Sequence, residues 1–145
     1  MPRMYVMVAL PRSGKSTYVE KHLADIPRVS ADQLRLLIHG RRYLAEKEHL
    51  VWWVRGIMLR ALMQQELDVV IDQTNTTRAR RKELIRLAEE YGYTTVAVIL
   101  ERDIGTCKER AVKTGQEDLI PVIEEYAQAY EPVSESEGFD EIIRA

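Results

Sequence analysis

The sequence predicts an α/β protein: a three-layer α/β/α sandwich with a central parallel sheet, formed as one domain over residues 1–145. Three observations predict it. Short apolar runs alternate with stretches of helical period, the pattern of repeated strand–helix units. One run, Thr94–Leu100, carries no charge and is rich in β-branched residues, which suits a strand buried on both faces. The first run empties into Gly-Lys-Ser-Thr and the next two end on aspartates. Residues that carry chemistry therefore stand at the carboxyl ends of strands, where open parallel sheets bind ligands.

The first strand is Tyr5–Leu10, and a helix over Lys15–Ala24 follows it. A short strand, Pro27–Ser30, ends at Ala31-Asp32, and a helical stretch, Gln33–His39, stops at Gly40. Ala45–Glu66 repeats apolar residues at Leu50, Val54, Ile57, Ala61 and Leu62, a helical period with a wide apolar face. Trp53 and Met58 fall beside that face, so Trp53 is expected in the core, whereas Trp52 is open to stack on a base. Leu67–Ile71 is the third strand, closed by Asp72. A basic helix covers Ala79–Tyr91 and ends at Gly92, a C-cap glycine. After Thr94–Leu100 come helices Ile104–Lys113 and Leu119–Tyr130, split by Thr114-Gly115, and a last strand at Phe139–Arg144.

Composition narrows the function classes. A net charge of −2 rules out bulk attraction to nucleic acid or anionic membrane, so a polyanion must be met by a local patch. The single cysteine, Cys107, excludes an internal disulfide and suits a reducing cytoplasm; it is expected to pack. No apolar run approaches the roughly 20 residues of a membrane span, so no membrane partner is expected. Met1-Pro2-Arg3-Met4 leads straight into the first strand, which argues against a signal peptide. The three histidines lack zinc-ligand spacing, and nothing specifies an oligomeric state.

Ala9-Leu10-Pro11-Arg12-Ser13-Gly14-Lys15-Ser16-Thr17 has the layout of a phosphate-binding P-loop, the Walker A motif. Backbone N–H groups of the turn and helix start converge on phosphates, so Arg12, Ser13, Gly14, Lys15, Ser16 and Thr17 are candidate nucleotide contacts. ATP with Mg²⁺ is the expected ligand. Lys15 would reach the outer phosphates and the Ser16 hydroxyl would ligate the metal. Ala9 stands where the first glycine is expected, which is tolerable only if φ there stays negative.

The remaining chemistry is read from strand ends and late cations. Asp32 is the candidate general base for an acceptor hydroxyl; the competing reading is a helix N-cap. Asp72 is a candidate for metal or substrate, or else a turn-forming residue, with Thr74 and Asn75 ordering that turn or touching substrate. Arg78, Lys82 and Arg86 stack on one helical face, with Arg80 and Arg81 alongside, either as a binding face or as a solvated one. Arg110 and Lys113, one turn apart, are candidate lid cations over the phosphates.

In these stretches the chain resembles the 5′-hydroxyl polynucleotide kinase family of P-loop kinases, bacteriophage and bacterial members included. The matching segments are Leu10–Thr17, Ser30-Ala31-Asp32-x-x-Arg35, Ile71-Asp72-Gln73-Thr74-Asn75 with Arg80-Arg81, Lys108-Glu109-Arg110 and Ile120-Pro121-Val122-Ile123. The resemblance implies that Asp32 deprotonates a 5′-hydroxyl, that Arg35 binds the acceptor's own phosphate, and that Arg110 is the lid arginine. It implies a nucleic acid 5′ end as acceptor and a nucleoside triphosphate as donor. Two departures, Ala9 for glycine and Thr114 for a second lid arginine, imply weaker nucleotide binding or turnover. The phosphatase and ligase modules of some relatives are missing, so a stand-alone kinase domain is expected. Three alternatives remain: a kinase for a hydroxymethylated base in DNA, a kinase for a nucleoside or sugar hydroxyl, and a nucleotide-dependent switch that transfers nothing.

Overall fold

The computed structural model describes residues 1–145. Five strands form one sheet in the order β2-β3-β1-β4-β5: β1 (Arg3–Val8), β2 (Arg28–Val29), β3 (Val69–Ile71), β4 (Thr94–Ile99) and β5 (Glu141–Arg144). Every pairing is parallel. The helices between them are α1 (Lys15–His22), α2 (Ala31–His39), α3 (Glu48–Gln64), α4 (Arg78–Tyr91), α5 (Ile104–Lys113) and α6 (Ile120–Ala129).

Alternation along β1 sets the layers. Met4, Val6 and Val8 point to one face, where Leu59 and Met63 of α3 and Leu84, Leu87 and Ala88 of α4 cover them. Met7 and Ala9 point to the other, under Val19 of α1. This is the expected three-layer sandwich. Both faces are closed, and the middle strands are accordingly apolar beyond their first residues. Gly40 and Gly92 end α2 and α4 in the left-handed conformation, as the sequence predicts for Gly92.

Helix α3 departs from the expected face. Its buried residues are Val51, Leu59 and Met63, and Ile57 is more than half exposed. The stripe is rotated by about one position, so Trp53 lies outside at 65% exposure. Trp52 turns inward instead and meets arginines. The helix is apolar nearly all round, and a period alone cannot set the phase of such a stripe. Arg81 is a second correction. It is expected on the basic face of α4 but is wholly buried, whereas Arg78, Lys82 and Arg86 are solvated.

Candidate active site

The turn after β1 is built by two residues of positive φ, Arg12 at 63° and Gly14 at 96°. Ala9, buried in the core, is not among the positive-φ residues, so its methyl is accommodated. Its N–H donates to the Thr74 carbonyl at 3.0 Å, which ties the exit of β1 to the exit of β3. Asn75, at φ 47°, is buried and donates its side-chain amide to the Met7 carbonyl at 2.7 Å. Thr74 and Asn75 thus order the turn, as one reading of the sequence has it.

Gly14 starts α1, and no side chain caps that helix. Its first N–H groups therefore lack protein acceptors and face the end of β1, a ready anion site. The Ser13 hydroxyl and Arg12 Nε are buried and unpartnered. Lys15 makes no ion pair. Unspent donors of this kind fit a polyphosphate. His, Cys, Asp and Glu side chains form no group of three or more that could hold a metal ion.

Arg110 of α5 reaches this turn. A Cβ at Gly14 would lie 2.9 Å from its Nη1, and that nitrogen approaches the Arg12 carbonyl at 3.5 Å. Arg12 Nη2 donates to the Thr114 hydroxyl at 3.2 Å, so the residue standing in for a second lid arginine still docks on the P-loop. Lys113 is exposed and unpaired. Arg42, just past α2, pairs with Asp118, just past α5. The segment after Asp32 and Arg35 and the segment after Arg110 therefore meet each other.

The N-cap position of α2 is taken by the neighbour of Asp32, not by Asp32 itself. Ser30 is the N-cap of α2 and accepts from Gln33 N–H at 3.3 Å. Asp32 sits in the first turn, 79% exposed, with Arg35 as its partner at 2.6 Å. Arg35 is also held by Glu48, through Nε at 2.9 Å and Nη2 at 2.7 Å. Both carboxylates keep the guanidinium strongly protonated, with the Glu48 hydrogen bonds foremost. Glu48 is in turn held below the usual carboxylate range, chiefly by Arg35 and with help from Trp52. Arg35 has five N–H donors, and three are spent this way. Asp72, a candidate for metal or substrate, is buried and accepts from Arg28 Nε at 2.8 Å.

Glu48, Arg28 and Arg55 were not legible in the sequence, and Arg80, placed on the basic face, was not linked to Trp52. Glu48 and Arg28 have partners 13 and 44 residues away, and no short motif links either pair.

The fold is shared with solved structures. The structure matches a chain of a Pnkp1/Rnl/Hen1 complex (22% identity, 75% of this chain and 38% of that one, TM-score 0.68). A chain of the Pnkp1/Rnl/Hen1 RNA repair complex matches at 17% identity, 96% and 50% coverage, TM-score 0.70. The chain thus spans half or less of the length of those two. A putative kinase from Chloroflexus aurantiacus is covered more evenly: 15% identity, 99% and 84%, TM-score 0.72. At these identities the TM-scores show a shared fold, that of P-loop kinases. No curated protein matches the sequence. The family model described as AAA domain matches residues 4–132, and the chain belongs to that family.

Proposed function

We propose that the protein is an ATP- and Mg²⁺-dependent kinase that transfers the γ-phosphoryl group to the 5′-hydroxyl of a nucleic acid strand. The observation that carries the reading is Asp32: an uncapped, exposed carboxylate beyond β2, paired with Arg35. The segment that follows it joins, by the Arg42–Asp118 pair, the segment that follows α5, the helix carrying Arg110. A base needs a positioned carboxylate with room for an alcohol, and a cap bound into its own helix would not serve.

On this reading Lys15 and the N–H groups of Gly14, Lys15 and Ser16 hold the donor phosphates, and Ser16 holds the metal. Mg²⁺ would neutralise charge on the β- and γ-phosphates. Asp32 accepts the acceptor's proton as its oxygen bonds to the γ-phosphorus and the bridging oxygen leaves with ADP. Arg35 offers its two unspent N–H donors to the acceptor's adjacent phosphate. Arg110 covers the developing charge on the donor. The Asp32–Arg35 spacing favours an acceptor in which a hydroxyl and a phosphate sit side by side, which a free sugar lacks.

Radiolabelled ATP offered with 5′-OH oligonucleotides, hydroxymethylated DNA and nucleosides tests the reading. Label should enter the oligonucleotide 5′ end, and Asp32→Ala should lower transfer about 10²-fold or more while nucleotide binding persists. Label on a nucleoside alone, or none on any acceptor, defeats it.

A further inference from the structure

Trp52, Arg55, Gln73 and Arg80 form a cluster that the chemistry above leaves unused. Arg55 lies with its guanidinium carbon 5.1 Å from the centre of the Trp52 ring, and Arg80 of α4 lies 4.5 Å from it. Contacts of this kind hold a guanidinium over an aromatic surface while leaving its N–H edge free. The Arg55 Nε donates to the Gln73 side-chain oxygen at 3.0 Å. Neither arginine has a carboxylate within 4.0 Å.

Two like charges gathered on one indole are costly. Burial first, then Arg80, pulls Arg55 down to about 10, with Arg60 adding to the effect and Glu83 opposing it from a distance. A half-buried guanidinium with an exposed second one beside it, and no carboxylate against either, leaves a place for an anion at the cluster's edge.

The cluster's position says which anion. Val29 pairs with Ile71, so Asp32 leaves β2 beside Asp72 and Gln73 leaving β3. Gln73 is the residue that Arg55 grips. Trp52 also acts on Glu48, the carboxylate that clamps Arg35. Contacts lead from Asp32 through Arg35 to Glu48 of α3, and one turn further along α3 Trp52 carries Arg55 and Arg80.

We infer that Arg55 and Arg80, carried on Trp52, bind a second backbone phosphate of the acceptor strand, beyond the one assigned to Arg35. This rests on the reading of the protein as a 5′-hydroxyl kinase. It narrows the acceptor to strands with at least two phosphates following the reacting hydroxyl. Trp52, open to base stacking on the sequence alone, serves as the platform for cations.

The test compares kcat/KM for a 5′-OH nucleoside 3′-monophosphate with that for a 5′-OH dinucleotide bearing a 3′-phosphate. The dinucleotide should be favoured about tenfold or more, the size of a charge-assisted phosphate contact. Arg80→Ala, on an exposed residue, should bring that ratio close to one, and Arg80→Lys should restore part of it. A wild-type ratio already near one, or a ratio that Arg80→Ala leaves unmoved, overturns the assignment.

A second measurement reads the site without turnover: salt-dependent binding of a labelled 5′-OH trinucleotide, followed by anisotropy. Loss of one phosphate contact should flatten the log–log slope by about 0.7. If no acceptor is phosphorylated but the slope flattens in Arg80→Ala, the kinase reading falls and the phosphate site stands. An identical slope in both proteins removes the site.

Discussion

Arg81→Met should cost the protein roughly 3–5 kcal/mol, the loss expected when one partner of a buried ion pair is removed. Arg81 is fully enclosed. Its Nε and Nη2 donate to Glu137 at 2.7 and 3.2 Å, its Nη1 to the Asn75 carbonyl at 3.0 Å, and Nη2 also to the Glu131 carbonyl at 2.8 Å. Methionine fills much of the volume but offers no donor. Glu137, only 9% exposed, would keep its charge with the Ser134 N–H as its remaining partner. The carbonyls of Asn75 and Glu131 would be left without this donor.

Urea denaturation reads the loss as a lower midpoint with an unchanged slope, and the melting temperature should drop on the order of 10 °C. Arg81→Met with Glu137→Leu should recover most of the stability, because the stranded charge goes too. A single-mutant loss under about 1 kcal/mol, or a double mutant no better than the single, would refute the reasoning. The consequence also reaches the nucleotide. Arg81 fixes the Asn75 carbonyl, and the Asn75 amide fixes Met7, two residues before Ala9. The folded fraction of Arg81→Met should therefore bind ATP more weakly.

Two further predictions concern the P-loop glycine and the Arg81–Glu137 pair. Gly14→Ala forces a methyl into a left-handed residue, at a cost of roughly 1–2 kcal/mol, and against Arg110 at 2.9 Å. ATP affinity measured by calorimetry should fall at least tenfold, and an unchanged affinity would show that the glycine is dispensable. Acid stability should follow Glu137, which burial pushes up but which the Arg81 and Ser134 hydrogen bonds hold below its ordinary value overall. A depressed carboxylate stabilises the fold fully above its unfolded pKa of about 4.3, and that contribution disappears as pH falls through the lower folded value. Arg81→Met should flatten this acid limb in a pH series of urea midpoints.

The sheet and the P-loop were legible because each is written locally. β4 is an uncharged β-branched run, and Gly14-Lys15-Ser16 fixes the turn and helix start within three residues. Asp32 was legible as a strand-end carboxylate, and the spacing to Arg35 put both on one face. What escaped was the set of groups that hold those residues. Glu48 stands at the start of α3 like any favourable acid near a helix N-terminus, and nothing local distinguishes it from a dipole partner. Arg81 sits among five basic residues, and only the returning segment around Glu137 draws it inside. The error in the phase of α3 has the same origin. Leu, Val, Met and Trp surround the helix, and the choice of stripe is made by the sheet against which it packs.

The Glu48 clamp carries a last consequence for Asp32. Arg35 donates two parallel hydrogen bonds to Glu48 and one to Asp32, so the more sheltered carboxylate sets where the guanidinium sits. Asp32 has no other side-chain hydrogen bond, and its position therefore depends on Glu48 at one remove. In Glu48→Gln the new side chain has one acceptor and presents an amide N–H₂ to a guanidinium N–H, so one of the parallel bonds is lost. Arg35 loosens, and Asp32 and the acceptor phosphate lose their common anchor. A misplaced base costs rate even when every reacting group remains. Transfer to a 5′-OH oligonucleotide should fall about tenfold in kcat/KM, the worth of one charge-assisted bond, with ATP affinity unaltered. Glu48→Asp, which keeps the charge but shortens the reach, should fall between. If Glu48→Gln phosphorylates the strand as well as the wild type does, Arg35 is positioned by something other than this clamp.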